Sequence, residues 1–321
     1  MKSLKNKKVL ITGGAGFIGS HLADRLIEKG DKVVIVDNLS GGNTKNINEK
    51  ATFYKNDICD ASIGKIFRKE KPEIVFHFAA QVNARKSVDR PIEDAQNNIL
   101  GSINILENCV RVKVKKVIFA SSGGVMYGET KVIPTPENHS ANPMCPYAIN
   151  KLSVESYLRY YHKVFGLKYA SLRFSNVYGA RQNPESESGV VSIFCSNMFL
   201  GNPVTIYGSG SQTRDFIYIN DAVDASISVM KKKGEGIYNI STAKEASINA
   251  IFNIIKKESG LRCKKKYAKA IVGEQQRSCL DYSRAKKVLN WQPKYILEEG
   301  IRNTIEWYES KINYQKHGSV L

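Results

Sequence analysis

Tyr147 and Lys151 stand four residues apart, directly after Pro146. Proline suits the first turn of a helix, so the spacing predicts that both side chains project from one helix face, with Tyr147 near its N-terminus. A phenol ordinarily titrates near about 10, too high for a base at neutral pH. The helix dipole, the Lys151 ammonium and any bound cation would all favour phenolate there. Upstream, the apolar run Val117-Ile118-Phe119-Ala120 leads into Ser121-Ser122-Gly123-Gly124. Ligands of open parallel sheets bind where strands end, so the Ser121 and Ser122 hydroxyls are candidates to share a ligand with Tyr147. The pairing suits proton transfer at a hydroxyl or carbonyl. Alone, it also describes a solvated helix face.

The elements that must position these groups decide between the two readings. Lys8-Val9-Leu10-Ile11-Thr12 reads as a short buried strand and runs straight into Gly13-Gly14-Ala15-Gly16-Phe17-Ile18-Gly19. Helical spacing follows from Ser20 to Lys29, closed by Gly30. A second strand, Lys32 to Val36, ends in Asp37. Glycines at the turn and an acid about 20 residues later are the signature of a dinucleotide site. The glycines bring backbone against a pyrophosphate at the helix N-terminus, and Asp37 can accept from ribose hydroxyls. No arginine follows closely to hold a 2′-phosphate, so NAD is expected rather than NADP.

Strand and helix patterns keep alternating through Phe53-Tyr54, Ile74–Phe78, a helix over 92–110 and the strand Tyr169–Phe174. His77 reads as a strand residue. Such alternation predicts an α/β fold, a Rossmann-type doubly wound parallel sheet. Beyond about 180 the pattern loosens: a helix over 189–200, short strands at 203–207 and 214–218, a helix from Asp221, then helices at 247–258, 283–290 and 298–310. The expected organisation is an NAD-binding domain over 1–180 and a smaller C-terminal α/β lobe over 181–321, with some exchange of strands and helices and a cleft between them.

Composition sets outer bounds. The 321 residues are 42% hydrophobic and 24% charged, ordinary for a globular protein, with a formal net charge of +18. That charge favours anionic ligands such as nucleotides. The runs Lys231–Lys233 and Lys264–Lys266 are short and lack interleaved aromatics, so nucleic acid is not an expected partner. Six dispersed cysteines without a Cys-x-x-Cys pair predict neither a disulfide framework nor a metal site, and point to a reducing cytoplasm. No segment approaches the ~20 apolar residues of a membrane span.

With these residues in view, the chain resembles the extended short-chain dehydrogenase/reductases, specifically the nucleotide-sugar 4-epimerases of the UDP-glucose/UDP-N-acetylglucosamine type, over nearly its whole length. Thr12-Gly13-Gly14-Ala15-Gly16-Phe17-Ile18-Gly19 is similar to the family's cofactor loop. Asp37-Asn38, Asp57-Ile58, Phe78-Ala79-Ala80 and Asn98 are similar to its NAD contacts, and Tyr147 with Lys151 to its catalytic pair. In the second half the similar stretches are Arg173–Gly179, Ile206-Tyr207-Gly208, Gln212–Tyr218 and Leu280–Ala285. The resemblance implies that NAD stays bound through turnover, that Ser40, Ser121 and Phe174 add contacts to it, and that a UDP-sugar is epimerised through a 4-keto intermediate. Tyr147 would take the proton of the sugar 4-hydroxyl while Lys151 holds the nicotinamide ribose. Asn176 and Arg214 would bind the diphosphate, Tyr207 would stack on uracil and Glu274 would accept a uridine ribose hydroxyl. Gly123, Val191 and Thr205 would line the substrate site. A homodimer through the helices at 92–110 and 147–164 is implied as well.

The chain departs from the pattern in two places. The family's usual catalytic Ser or Thr falls on Gly123, which has no hydroxyl; Ser122, one residue earlier, is the expected replacement. The arginine that often precedes the Gly-Glu pair is missing from Ala270-Ile271-Val272, so Arg277 is the expected substitute. Sister enzymes separate at Gly124 and Val125: dehydratases carry an Asp-Glu pair there and decarboxylases a Glu. A UDP-glucuronate 4-epimerase and a non-catalytic NAD-binding sensor are the remaining alternatives. Ser278 bears on the sugar, because the family position it occupies lines the wall against the C2 substituent. A small residue leaves space for an acetamido group, so UDP-GlcNAc/UDP-GalNAc is the expected pair, with UDP-glucose/UDP-galactose also accommodated.

Overall fold

A computed structural model describes residues 6–185, 189–232, 234–271 and 273–317, with side chains to 311; Lys233 and Val272 of the stretches named above lie outside them. The first half alternates β1 (Lys8–Thr12), α1 (Phe17–Glu28), β2 (Lys32–Asp37), β3 (Thr52–Lys55), α2 (Ile63–Glu70) and β4 (Ile74–His77). Then come α3 (Ala84–Asp89), α4 (Pro91–Ala95), α5 (Gly101–Arg111), β5 (Lys116–Ser122), α6 (Pro146–Phe165) and β6 (Lys168–Phe174). The second half carries β7 (Asn176–Tyr178), α7 (Val190–Phe199), β8 (Val204–Tyr207), β9 (Thr213–Arg214), β10 (Phe216–Tyr218), α8 (Ile219–Lys231) and β11 (Gly236–Ile240). It ends with β12 (Ala246–Ser247), α9 (Ile248–Ser259), β13 (Lys265–Ala268), β14 (Arg277–Ser278), α10 (Ser283–Leu289) and α11 (Leu297–His317).

Seven strands form one sheet in the order β11-β6-β5-β4-β1-β2-β3, and every neighbouring pair is parallel. Alternate strand residues feed two cores. Val9, Ile11, Ile35, Phe76 and Ile118 pack on one face, and Leu10, Val34, Val75, Val117 and Phe119 on the other. That is why these strands are continuous apolar runs rather than alternating ones. The doubly wound parallel sheet read from the sequence is the one observed. β11 is drawn from beyond residue 180 and completes it beside β6. The remaining strands make small two- and three-stranded sheets.

Several expectations shift in detail. The helix over 92–110 is continuous but widens to a π turn at Gln96–Leu100. The Asn97 amide donates to the Glu93 carbonyl and the Ser102 hydroxyl to the Asn98 carbonyl, so side chains take up backbone acceptors there. α1 starts at Phe17, three residues before the apolar spacing begins, and α8 at Ile219 rather than Asp221. β13 takes in Lys265 and Lys266 of the second lysine run; its backbone pairs with β8 although its side chains are mostly exposed.

One buried ion pair fastens α6 to the sheet. Glu155 accepts from Arg173 Nε at 3.0 Å and Nη2 at 2.6 Å, and from the Ser171 hydroxyl at 2.9 Å. The third arm of Arg173 donates to the Tyr127 hydroxyl at 2.8 Å, which donates to Asn239. Both charged side chains are almost fully buried, so the pair is one desolvated unit.

Candidate active site

The carboxyl ends of β1, β2, β4 and β5 open onto one cavity of about 660 Å³. The glycine loop forms its floor because nothing larger fits. Gly13 sits at φ +73, and a Cβ there would come within 2.7 Å of the Ala79 backbone nitrogen. A Cβ on Gly19 would run into the Gly13 carbonyl oxygen. α1 therefore begins directly against the cavity, without a side-chain cap and without an acidic residue in its first turn. Its positive end is left for an anion.

Asp37 closes the far side. Its carboxylate accepts the Ala15 and Leu39 amides at 3.0 and 2.8 Å while lining the cavity, and burial raises its pKa above the ordinary carboxylate value. Asn38 donates to Asp57 at 2.7 Å, and both flank the same wall. Gly16, Phe17, Ile18, Ser40, Ile58, Phe78, Ala79, Ala80 and Phe174 complete the expected lining. The Ser121 hydroxyl is buried on a residue that lines this cavity and has no hydrogen-bond partner among the described residues. A long polar-and-apolar trough, an open helix N-terminus, a carboxylate at its end and a spare hydroxyl together fit a dinucleotide. Ser121, Asp37 and the glycine loop are the groups that would hold it.

Asp37→Asn is expected to weaken NAD binding about 10- to 150-fold, because hydrogen bonds to a charged group are worth roughly 1.5–3 kcal/mol. Titration of the apo-protein with NAD checks this; unchanged affinity would mean that Asp37 serves only the loop amides.

The reactive end lies where β5 meets α6. Pro146 opens α6, and the Tyr147 amide donates to the Ser87 hydroxyl at 3.1 Å. Ser122 and Tyr147 line the same end of the cavity, and the Ser122 hydroxyl acts to lower the phenol pKa. Lys151 Nζ donates to the Ala120 carbonyl at 2.8 Å and stands 5.7 Å from the Tyr147 ring centre. All three side chains line the cavity. The expected lowering of the phenol does not arise from these residues alone. Burial pushes Tyr147 above its ordinary value, Ser122 opposing and Asp94 and Cys145 adding to the rise. Burial also pushes Lys151 down to about 8, against the pull of Asp94 and Glu155.

Gly123 has a structural cause. A side chain there would collide with Leu280, and the Arg173 carbonyl lies 3.1 Å from the same point. The space of a residue-123 hydroxyl is taken, and Ser122 lines the cavity with Tyr147. Asn176 and Ser278 converge just beyond. The Asn176 amide oxygen stands 3.3 Å from a Cβ position on Gly124, and the Ser278 hydroxyl donates to the Gly124 carbonyl at 3.1 Å. Thr205 and Tyr207 are exposed on one face of β8, and the Arg85 guanidinium lies 5.3 Å from the Tyr207 ring centre. Arg214 pairs with Glu274 at 3.5 Å. Asp215 beside it is buried and accepts from Thr242, Ala243, Leu280 and Ser175, which fixes this edge of the cleft.

Among the expected contacts, Asn98, Val191 and Arg277 have their side chains engaged elsewhere. Asn98 spends its amide on the Gln81 backbone and Asp94, beneath the cavity wall. Val191 is buried in the apolar core of the second half. Arg277 and Ser278 alternate across β14, so Arg277 points away from Ser278 and its guanidinium is held by Glu245. Conversely, Gln81, Asn83 and Lys86 line the cavity without having been singled out. They follow Ala80 on an irregular segment and α3, where no periodicity marks them.

The comparisons agree with this geometry. Residues 9–241 match the NAD dependent epimerase/dehydratase family. A putative UDP-glucose 4-epimerase of Methanocaldococcus jannaschii is 45% identical over 302 residues, 94% of this chain and 98% of that protein. The UDP-glucose 4-epimerase of Thermotoga maritima, solved with UDP-glucose, superposes with a TM-score of 0.93 at 44% identity, covering 95% of this chain and 99% of that one. The UDP-N-acetylglucosamine 4-epimerase of Methanobrevibacter ruminantium, solved with UDP-N-acetylmuramic acid, superposes with a TM-score of 0.90 at 38% identity, covering 96% and 100%.

Proposed function

The chain belongs to the NAD dependent epimerase/dehydratase family, and from that premise we propose that it is a UDP-sugar 4-epimerase acting on UDP-GlcNAc/UDP-GalNAc, with UDP-glucose/UDP-galactose accepted as well. One observation carries the reaction: Ser122, Tyr147 and Lys151 line one cavity at the end of β5, with Lys151 Nζ 5.7 Å from the Tyr147 ring centre. NAD, held by the glycine loop, Asp37 and Ser121, would supply reversible hydride transfer at the sugar C4. Tyr147 takes the proton of the sugar 4-hydroxyl and gives it back. Ser122 donates to the same oxygen and keeps the carbonyl formed at C4 aligned. Lys151 supplies a positive charge that favours phenolate, opposing the burial that holds Tyr147 protonated. On the substrate side Arg214, released from Glu274, would meet the diphosphate, and Tyr207 would stack on the base.

Ser278 supports the N-acetylated sugar. It is small, buried and hydrogen-bonded to Gly124, two residues from Ser122. Ser278→Tyr is expected to lower kcat/KM for UDP-GlcNAc while sparing UDP-glucose. Overfilling a packed site costs roughly 1–3 kcal/mol, or about 5- to 150-fold. Equal loss on both substrates, with NAD content retained, would place the gate elsewhere.

We also read the protein as a homodimer. Ile92 and Leu100 on the α4–α5 helix and Ile149, Tyr160 and Val164 on α6 are exposed, more apolar surface on neighbouring helices than a monomer ordinarily leaves open. Light scattering should give twice the chain mass; a monomer at micromolar concentration would contradict it.

A further inference from the structure

Asp94, in the last turn of α4, is 1% exposed. Its Oδ1 accepts from Gln81 Nε2 at 2.6 Å and from Asn98 Nδ2 at 3.0 Å, and its Oδ2 accepts from Asn150 Nδ2 at 2.6 Å. Three N–H donors converge on the group, which makes it an acceptor-only carboxylate. All three donors are neutral amides. The charge is thus ligated, but not matched by a cation at hydrogen-bonding distance among the described residues.

The complementary charge stands across the α4–α6 contact. Lys151 follows Asn150 directly and shares the cavity wall with Gln81. Its own contacts are the Ala120 carbonyl and the Phe119 ring, 4.6 Å away. The other titratable groups around it cannot serve as counter-charge. Glu155, one turn further along α6, is neutralised by Arg173 from β6. His77 on β4 is bonded on both ring nitrogens, to Thr12 and Ser102, and burial pushes it down to about 3, so it is neutral. Tyr147 and Cys145 are both held protonated by burial.

We propose that Asp94 is a positioning residue of the site: its buried carboxylate is the counter-charge that keeps Lys151 protonated, and its amide ligands fix Gln81 on the cavity wall and Asn150 beside Lys151. The proposal rests on the roles given to Tyr147 and Lys151 above. Its consequence has a definite sign. A negative charge at residue 94 raises the pKa of Lys151 and of Tyr147 alike. Removing it lowers both, so both limbs of the pH profile move to lower pH, whichever of the two groups sets each limb. A merely structural role would lower the plateau and leave the limbs in place.

The experiment compares pH profiles of kcat/KM for the NAD-loaded wild type, Asp94→Asn and Asp94→Glu. Asp94→Asn should shift both limbs down by about one pH unit, the low end of what a nearby opposite charge produces. Asp94→Glu should restore the wild-type limbs even where its plateau is lower. If Asp94→Asn does not fold, Asp94→Ser, which leaves room for water, takes its place with the same expected shift. Unmoved limbs in a folded charge-removing variant, with Tyr147→Phe inactive, overturn the Asp94 proposal alone. An active Tyr147→Phe overturns the reading beneath it.

Discussion

Tyr147→Phe is expected to lower kcat at least about 10²-fold while leaving the fold and NAD content intact. General acid–base groups contribute typically 10²–10⁴-fold, and each factor of ten is about 1.4 kcal/mol of barrier. The substitution removes one oxygen from a half-buried ring in the first turn of α6, so little packing is lost. What disappears is the proton carrier in the cavity it shares with Ser122 and Lys151. No other phenol and no imidazole lines the cavity among the described residues; its carboxylates are Asp37, Asp57, Glu93 and Glu185. Ser122 can orient a proton but ordinarily does not hold its negative charge at neutral pH. Turnover within tenfold of wild type would remove Tyr147 from the reaction.

The largest expected loss of stability lies elsewhere. Arg173→Met should destabilise the protein by about 3–5 kcal/mol, the cost of leaving a buried carboxylate without its cation. Glu155 would lose two hydrogen bonds and keep only Ser171, in a site closed to water. Because Glu155 lies one turn from Lys151, the damage should reach α6 and activity as well. The double variant Arg173→Met/Glu155→Leu should recover most of the loss, since a well-packed apolar pair of similar volume is often as stable as a buried ion pair. Urea unfolding of the single and double variants measures both terms. A single-variant loss below about 1 kcal/mol would mean that water reaches Glu155.

Much of this site is readable from the chain because it is local. Gly13 to Gly19, the apolar runs beside them and Asp37 each announce a strand, a turn and a helix start within a short window, and the structure joins them as the periodicities require. Tyr147 and Lys151 are legible for the same reason, since helix geometry fixes their relation once Pro146 marks the first turn. What stays hidden depends on partners far along the chain. Gly123 looks like a lost hydroxyl until Leu280 is seen filling its space. β11 carries no mark in its sequence that assigns it to the main sheet rather than to the second half. The π turn at Gln96–Leu100 follows from side-chain bonds to backbone carbonyls, which apolar spacing does not report. Asn98 and Asp94 illustrate the limit best. A motif match singles out Asn98 as a cofactor contact, whereas its amide is committed to Gln81 and to the buried Asp94 carboxylate behind the wall.

Incubating the purified protein with UDP-GlcNAc and following the sugar anomeric signals by NMR tests the central claim most directly, with UDP-glucose and UDP-glucuronate in parallel. The account predicts conversion to UDP-GalNAc until the two C4 epimers reach equilibrium, at a rate at least comparable to that of UDP-glucose. Turnover of UDP-glucuronate alone would move the activity to another sugar. No C4 epimer from any of the three, in a protein that retains NAD, would contradict the assignment.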